Sequence, residues 1–142
     1  MIIDNRSYPT DLVDVNNVRY LLFTNLYNDA NALARLTEII AKHIECLSID
    51  YNSSTYTFTV KIKKTAMRRL HGFRHDPNFY YQVIPDIFSE FITDNKDRIL
   101  AALSSTYQNP SEVLNSICMN KYIMANLCHM SCISDNIIVI KL

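Results

Sequence analysis

The chain has 142 residues, of which 49% are hydrophobic and 20% are charged, a balance typical of one globular domain with its own core. Its 14 basic and 14 acidic side chains cancel, so no overall charge attracts it to nucleic acid or to an anionic membrane. Gly72 is the only glycine. This argues against glycine-rich phosphate-binding loops and predicts helices joined by short polar loops rather than a β-rich fold.

The first half of the chain is predicted to hold two helices. Asn16 or Asn17 caps the first, which runs to about Leu26, because a side-chain oxygen at this position accepts a free backbone N–H. The second helix covers Ala30 to Leu47. Its apolar residues recur at three- and four-residue steps, as expected for a helix that packs against a core. They are Leu33, Leu36, Ile40, Ile44 and Leu47.

Residues 55–63 instead show the pattern of a half-buried strand. Apolar side chains alternate with threonine and lysine, and this period of two is typical of a strand. A single strand cannot satisfy its own backbone, and residues 136–141 are the only other good candidate. Two interpretations stay open here: the two segments pair, or residues 55–63 are helical under tertiary pressure.

Prolines and the glycine mark the next boundaries. Residues 64–71 are predicted to form a short helix that Gly72 ends. Asp76 and Pro77 open another helix as cap and first residue. Pro85 should kink or split that helix, because proline lacks a backbone N–H.

The last third of the chain is predicted to hold two more helices. A short one covers residues 96–107, and Asn109-Pro110 starts the last long one. About six or seven helices in residues 1–142 predict a single-domain bundle. The apolar pattern of the last helix runs through Val113, Ile117, Met124 and Leu127.

The ends of the chain predict a soluble, cytoplasmic protein. The first twelve residues lack the basic stretch and long apolar run of a secretory signal. Residues 137–142 are far fewer than the roughly 20 apolar residues that cross a membrane, so no transmembrane anchor is expected. The cysteines are interpreted as reduced, mostly buried thiols. They are Cys46, Cys118, Cys128 and Cys132.

Residues 83–104, VIPDIFSEFITDNKDRILAALS, resemble the first homology motif of the Bcl-2 family of apoptosis regulators. They are most similar to its myeloid-cell-leukaemia branch, in which a phenylalanine, an acid and a hydrophobic residue lead to Asn-Trp-Gly-Arg and a second apolar helix. Lys96 and Asp97 replace the tryptophan and glycine, and one or two residues are added between Phe88 and Arg98, as in a rapidly diverged viral member. The matching residues are Phe88, Glu90, Ile92, Asn95, Arg98, Ile99, Leu100 and Leu103.

The resemblance implies an all-α fold, a Bcl-2-like helical bundle, and an anti-apoptotic, non-enzymatic function. Family members sequester pro-apoptotic proteins by binding their amphipathic BH3 helix (the third homology region) in a hydrophobic groove. Arg98 would pair with an aspartate of that helix, and Asp97 would compete for the contact and narrow the set of helices bound. The implied site comprises Met67, Leu70, Val83, Ile87, Glu90, Asn95, Arg98, Leu100 and Ala101.

Residues 56–74 support the main alternative, a nucleic-acid-binding module. Tyr56 and Phe58 precede a run of basic side chains, and together these supply the chemistry of base stacking and phosphate contact. The chain as a whole carries no excess positive charge, which weighs against this alternative. The basic residues are Lys61, Lys63, Lys64, Arg68, Arg69 and Arg74.

Metal ligands, cofactors and small-molecule substrates are not predicted. His71 and His75 have the spacing of a metal-binding helix, but Gly72 is expected to end the helix between them. Residues 128–132, CHMSC, lack the paired CxxC of a zinc site, so buried thiols are the preferred interpretation. The host-cell cytoplasm is the expected location, with peripheral association at mitochondria left open. An unfilled apolar groove also leaves a homodimer open.

Overall fold

The computed structural model describes residues 14–63, 77–134 and 136–142, with only the backbone described at 77–81. Within these ranges the chain forms six helices and four strands. The helices are α1 (Val15–Asn25), α2 (Ala30–His43), α3 (Pro77–Asp94), α4 (Lys96–Ser104), α5 (Pro110–Met119) and α6 (Lys121–Ala125). The strands are β1 (Cys46–Asn52), β2 (Thr57–Ile62), β3 (His129–Ser134) and β4 (Ile137–Lys141).

The four strands form one antiparallel sheet in the order β1-β2-β4-β3. The prediction of an all-α, Bcl-2-like bundle is therefore wrong, and the protein has a mixed α/β fold. Of the two interpretations left open for residues 55–63, the pairing with residues 136–141 is confirmed, since β2 lies beside β4 with Val60 opposite Ile138. Two hairpins thus join along β2 and β4, which become the centre of the sheet.

Alternating burial explains why β2 and β4 occupy the centre. In β2 every second side chain is buried, and the intervening Thr59 and Lys61 are exposed. Successive side chains of a strand point to opposite faces, so one face of the sheet packs into the core. The buried residues of the two strands are Phe58, Val60, Ile62, Ile138 and Ile140.

The β1–β2 turn forms without glycine, which is why the glycine count misled the prediction of fold class. Asn52 Oδ1 accepts a hydrogen bond from the N–H of Ser54 at 2.9 Å. Tyr56 adopts the left-handed backbone conformation that glycine usually supplies, with φ of 53°. Its ring packs edge-on against Phe23, with 5.0 Å between centroids, and its carbonyl accepts the N–H of Leu142 at 2.9 Å. These tertiary contacts support a conformation that the local sequence disfavours.

Two strands of the sheet, β1 and β3, were not predicted from the sequence. β1 occupies residues 46–52, so α2 ends at His43 and Leu47 is 61% exposed instead of joining the apolar stripe. The predicted last long helix, whose apolar pattern ran to Leu127, is instead two helices, α5 and α6, and β3 follows at residues 129–134. In both cases a neighbouring strand satisfies the backbone, and local periodicity does not report such long-range contacts.

Local capping determines several helix starts. Asp14 caps α1 by accepting the N–H of Asn17 at 2.9 Å, rather than either asparagine that follows it. Asp29 caps α2 in the same way. Pro110 is the first residue of α5, as predicted, but Asn109 before it makes no side-chain capping bond.

The helices and the inner face of the sheet share one hydrophobic core. α3 packs against α2 and α6 and brings the fully buried Phe88 and Phe91 into this core. It is a single helix across Pro85, so of the two predicted effects, a kink or a split, the split does not occur. The predicted helix at 64–71 lies outside the described residues. No helix in the described ranges is both long enough and apolar enough to cross a membrane.

Candidate binding cleft

An open cleft of about 420 Å³ lies between α1 and α4, beside α5. Its deepest residues are Val18, Leu103 and Ile117, each 3% exposed, and they form an apolar floor. Tyr20 also lines the cleft but is 71% exposed, which places its ring at the rim. The dimensions and the apolar floor are those of a site that takes a few apolar groups of a ligand.

Helical spacing presents one side of α1 to the cleft. Residues three and four apart on a helix share a face, so Asn17, Tyr20, Leu21 and Thr24 line the cleft while Leu22 is fully buried in the core. The opposite wall begins on α4 and continues into the loop that follows it. That wall consists of Ala102, Leu103, Ser105, Thr106 and Tyr107.

Several polar side chains along the cleft donate hydrogen bonds to their own helix. The Thr24 hydroxyl donates to the carbonyl of Tyr20 at 2.9 Å, and the Asn25 amide donates to the carbonyl of Leu21 at 2.9 Å. The Ser105 hydroxyl donates to a carbonyl of α4 at 2.8 Å. With these donors engaged, apolar contact is the main interaction that the cleft offers to a ligand.

The cleft is also free of charged side chains. None of its twelve lining residues is Asp, Glu, Lys, Arg or His. Residues 20–28 and 99–111, which supply most of the lining, contain none of the chain's 28 acidic and basic side chains (14 and 14). Depletion of charge together with exposed tyrosine is the compositional signature of the centre of a protein–protein interface.

Arg98 lies next to the cleft and is engaged within the protein. Its Nη1 donates to Asp29 Oδ2 at 2.6 Å, and its Nη2 donates to the carbonyl of Asn25, a residue of the cleft wall. The backbone N–H of Asn31 and then the Arg98 guanidinium lower the pKa of Asp29. Arg98 therefore joins α4 to the α1–α2 connection. Asp97, predicted to compete for Arg98, is exposed, and no contact with Arg98 is seen among the described residues.

The other predicted site residues that the structure describes do not meet in one groove. Ile87 is buried in the core, and Val83 and Leu100 are half-buried against that core. Asn95 donates its side-chain amide to the carbonyl of Phe91 at 2.9 Å. Ala101 is exposed and does not line the cleft, unlike the next residue along α4. Met67 and Leu70 lie outside the described residues.

Glu90, also predicted to contact a partner helix, connects α3 to α2. Lys42 Nζ donates to Glu90 Oε1 at 2.9 Å, and His43 Nε2 lies 3.2 Å from the same oxygen. Arg35 adds a 3.4 Å contact to Glu90 Oε2 and a 2.5 Å contact to Asp94. Glu90 therefore has a structural role, because its ion pairs join two packed helices, and no partner helix is needed to explain its presence.

Glu90→Gln is expected to make the free energy of unfolding depend less on pH between about pH 7 and pH 3. The hydrogen bond from Lys42, and then that from His43, lowers the pKa of Glu90 below its ordinary value of 4.5. A carboxyl group with a lowered pKa stabilises the fold above its unfolded pKa, and this stabilisation is lost as pH falls through the folded value. Urea unfolding at several pH values from 7 to about 3 measures the effect. The variant should be less stable than wild type at pH 7 and converge with it in acid.

Asp86→Asn is the matched control for Glu90→Gln. Asp86 lies on the same helix, is exposed, and has no ion pair among the described residues. Its replacement should leave the pH profile close to that of the wild type. Equal profiles for Glu90→Gln and wild type would contradict a stabilising role for the Glu90 ion pairs.

The described part of residues 56–74 does not present a stacking surface for bases. Phe58 is fully buried, and the Tyr56 ring packs against Phe23. Lys61 and Lys63 are exposed. The remaining basic residues of this segment, together with His71 and His75, lie outside the described residues.

Within the described ranges, the four cysteines are not part of a metal-binding group. Burial raises the pKa of Cys128 to about 12, so this thiol stays protonated at neutral pH. The other three cysteines are half-buried, and all four are free thiols. Among the described side chains, no group of three or more His, Cys, Asp or Glu is placed to hold a metal ion.

The sequence prediction placed its partner site on 67–101 and missed the cleft. Of α4, it chose Arg98, Leu100 and Ala101, whereas Ala102 and Leu103 line the cleft. The signal that would have pointed there is the run of thirteen uncharged residues at 99–111. Comparison of the chain with protein-family models, curated proteins and solved structures finds no match.

Proposed function

We propose that this protein is a binding module that accepts an amphipathic helix of a protein partner in the α1–α4 cleft. The observation that carries the proposal is an uncharged cleft with an apolar floor and an exposed tyrosine at its rim. Its lining supplies no carboxylate, imidazole, ammonium or thiol that acid–base or nucleophilic catalysis would use. Binding is therefore the activity that this cleft supports best.

A helix is the partner shape that suits the cleft. Two helices, α1 and α4, form its walls, and side-chain ridges of a third helix can pack into the groove between them. In helix-in-groove recognition, apolar anchors at three- and four-residue spacing enter the groove while the polar side of the ligand stays in solvent. The absence of charge in the lining predicts that the anchors are apolar and that binding changes little with salt.

The identity of the helix is a narrower part of the proposal. The resemblance of residues 83–104 to the Bcl-2 motif makes the BH3 helices of pro-apoptotic proteins the first candidates, with sequestration of those proteins as the function. This part rests on the resemblance alone, because the fold is not the helical bundle of that family. A ligand aspartate that pairs with Arg98 would have to displace Asp29 from it.

Ala102→Arg is expected to weaken helix binding at least about tenfold, because the new side chain places bulk and charge in the cleft. Labelled peptides report binding by fluorescence anisotropy at low and high salt. The panel holds BH3 peptides, designed amphipathic helices with leucine anchors, and scrambled controls. Ala101→Arg is the matched control, since Ala101 is the neighbouring alanine of the same helix, is exposed, and does not line the cleft.

The two arginine variants separate the alternatives. Loss of binding in Ala101→Arg but not in Ala102→Arg would reject the cleft as the binding site. Binding of designed helices but of no BH3 peptide would reject the pro-apoptotic assignment and keep the cleft. No binding by any helical peptide would reject the proposed function.

A further inference from the structure

Arg98 connects three helices at one end of the cleft. It is the third residue of α4, and its Nη2 donates to the carbonyl of Asn25, the last residue of α1. Its Nη1 donates to Asp29 Oδ2 at 2.6 Å. The other oxygen of that carboxylate accepts the N–H of Asn31 at 2.8 Å and so caps α2. One guanidinium therefore joins the start of α4 to the end of α1 and to the start of α2.

The charge of Arg98 favours its contact with α1 over its own helix. A helix carries partial positive charge at its N-terminus and partial negative charge at its C-terminus, so a cation in the first turn of α4 opposes the dipole of α4. The same cation lies against the last carbonyl of α1, a group that has no partner within its helix. The last turn of α1 holds no basic residue of its own. Arg98 thus draws the start of α4 towards the end of α1.

The contacts of Arg98 also define one end of the cleft. Asn25, whose carbonyl accepts Arg98 Nη2, is part of the α1 wall. Ala102 is part of the α4 wall, and it lies four residues after Arg98 on the same face of the helix. One wall residue is therefore bonded to Arg98 directly, and the other lies one helical turn from it. The separation of the two walls at this end depends on the Arg98 contact.

We propose that Arg98 is a positioning residue, which holds α1 and α4 at the separation that admits a partner helix and does not contact that helix itself. This inference rests on the proposed function, because it concerns how the cleft is held ready for its partner. A cleft whose walls are fixed in advance loses less conformational entropy on binding. The partner helix then needs apolar anchors for the uncharged lining, and it needs no acidic side chain for Arg98.

Hydrogen exchange of the protein without any peptide tests whether Arg98 holds the walls. Arg98→Ala should speed amide exchange in residues 20–28 and 99–107 by about two- to fivefold, because the walls then separate more often. Arg35→Ala is the matched control. The Arg35 side chain is 43% exposed against 46% for Arg98, and its ion pairs join α2 to α3 outside the cleft. Unchanged exchange in the walls, or an equal change in both variants, would overturn the proposal.

A set of designed helices tests whether Arg98 acts without contact. All carry the same leucine anchors, and aspartate replaces alanine in turn at each position that flanks an anchor. Arg98→Ala should weaken every helix by the same factor, about two- to fivefold. Arg98→Lys should recover part of the loss, because lysine keeps the charge but cannot donate from two nitrogens at once. A loss confined to one aspartate helix would show direct contact and reject the positioning role.

Asp29→Asn separates the two roles further. Asparagine also caps helices, so α2 should keep its start while Arg98 loses the charge that holds it. A positioning role predicts weaker binding of every helix, whereas direct contact predicts tighter binding of an aspartate helix, because Arg98 becomes available to it. If no helical peptide binds the wild type, the proposed function is rejected. The exchange experiment would still show whether Arg98 holds the walls of the cleft.

Discussion

Phe58→Ala is expected to lower the free energy of unfolding by about 3–5 kcal/mol. Phe58 is fully buried on the central strand β2, where it pairs with Ile140 of β4 on the inner face of the sheet. Its ring lies 4.5 Å from that of Tyr51, measured between centroids. Truncation removes apolar area from the core and leaves a cavity where the two hairpins meet. Urea unfolding followed by circular dichroism measures the loss.

Leu47→Ala is the control for this core substitution. Leu47 belongs to the same sheet but is 61% exposed, so its truncation should change the stability by less than about 0.5 kcal/mol. Phe58→Leu, which keeps most of the buried area, should fold and show an intermediate loss even if Phe58→Ala does not fold. Equal stability of Phe58→Leu and wild type would mean that the β2–β4 junction is not part of the cooperative core.

Tyr27→Phe is expected to raise the free energy of unfolding, by as much as about 1–3 kcal/mol. Tyr27 is 2% exposed, and its hydroxyl has no hydrogen-bond partner among the described residues. Phenylalanine keeps the ring contacts with Phe23 and Phe91. It removes only the hydroxyl, whose burial costs free energy that no hydrogen bond offsets. Thermal and urea unfolding measure the gain, and Tyr122→Phe, at an exposed site, should change nothing.

High pH supplies a second measurement of the same hydroxyl. Burial, and then the nearby Cys128, raises the pKa of Tyr27 well above its ordinary value of 10.0. The folded state thus favours the neutral phenol. The stability of wild type is therefore unaffected by the titration of this group below pH 10 and falls above pH 10, because the Tyr27 phenol ionises in the unfolded chain but not in the folded one. Tyr27→Phe should lose less stability than wild type above pH 10. A less stable Tyr27→Phe at neutral pH would show that the hydroxyl is hydrogen-bonded.

The parts of the fold that depend on residues close together in the sequence could be predicted. The predicted helix from Ala30 begins where expected, and Leu36 and Ile40 of its stripe are buried. The alternation in residues 55–63 indicated a strand, and pairing with residues 136–141, one of the two interpretations left open, is what the structure shows. Capping and amphipathic periodicity act over a few residues, so they can be read from the chain directly.

The availability of the predicted site residues depended on contacts between residues far apart in the sequence, which sequence patterns do not report. The Arg98 guanidinium is held by Asp29 and by the carbonyl of Asn25, which are 69 and 73 residues away. Glu90 is likewise held by residues of α2. The sequence showed residues of the types that the motif requires. It did not show that Arg98 and Glu90 already form ion pairs and hydrogen bonds with other residues of the same chain.

The sequence by itself determined where α2, α3 and α5 start, the amphipathic face of α2 and the half-buried pattern of β2, because caps and periodicity are short-range properties. Only the tertiary structure decided that residues 46–52 and 129–134 are strands, since a strand exists through the backbone of its neighbour. It also decided where the cleft lies. A cleft is the space left between α1 and α4 when the core closes, and residues 17–25 and 102–107 meet there through packing rather than through any local pattern.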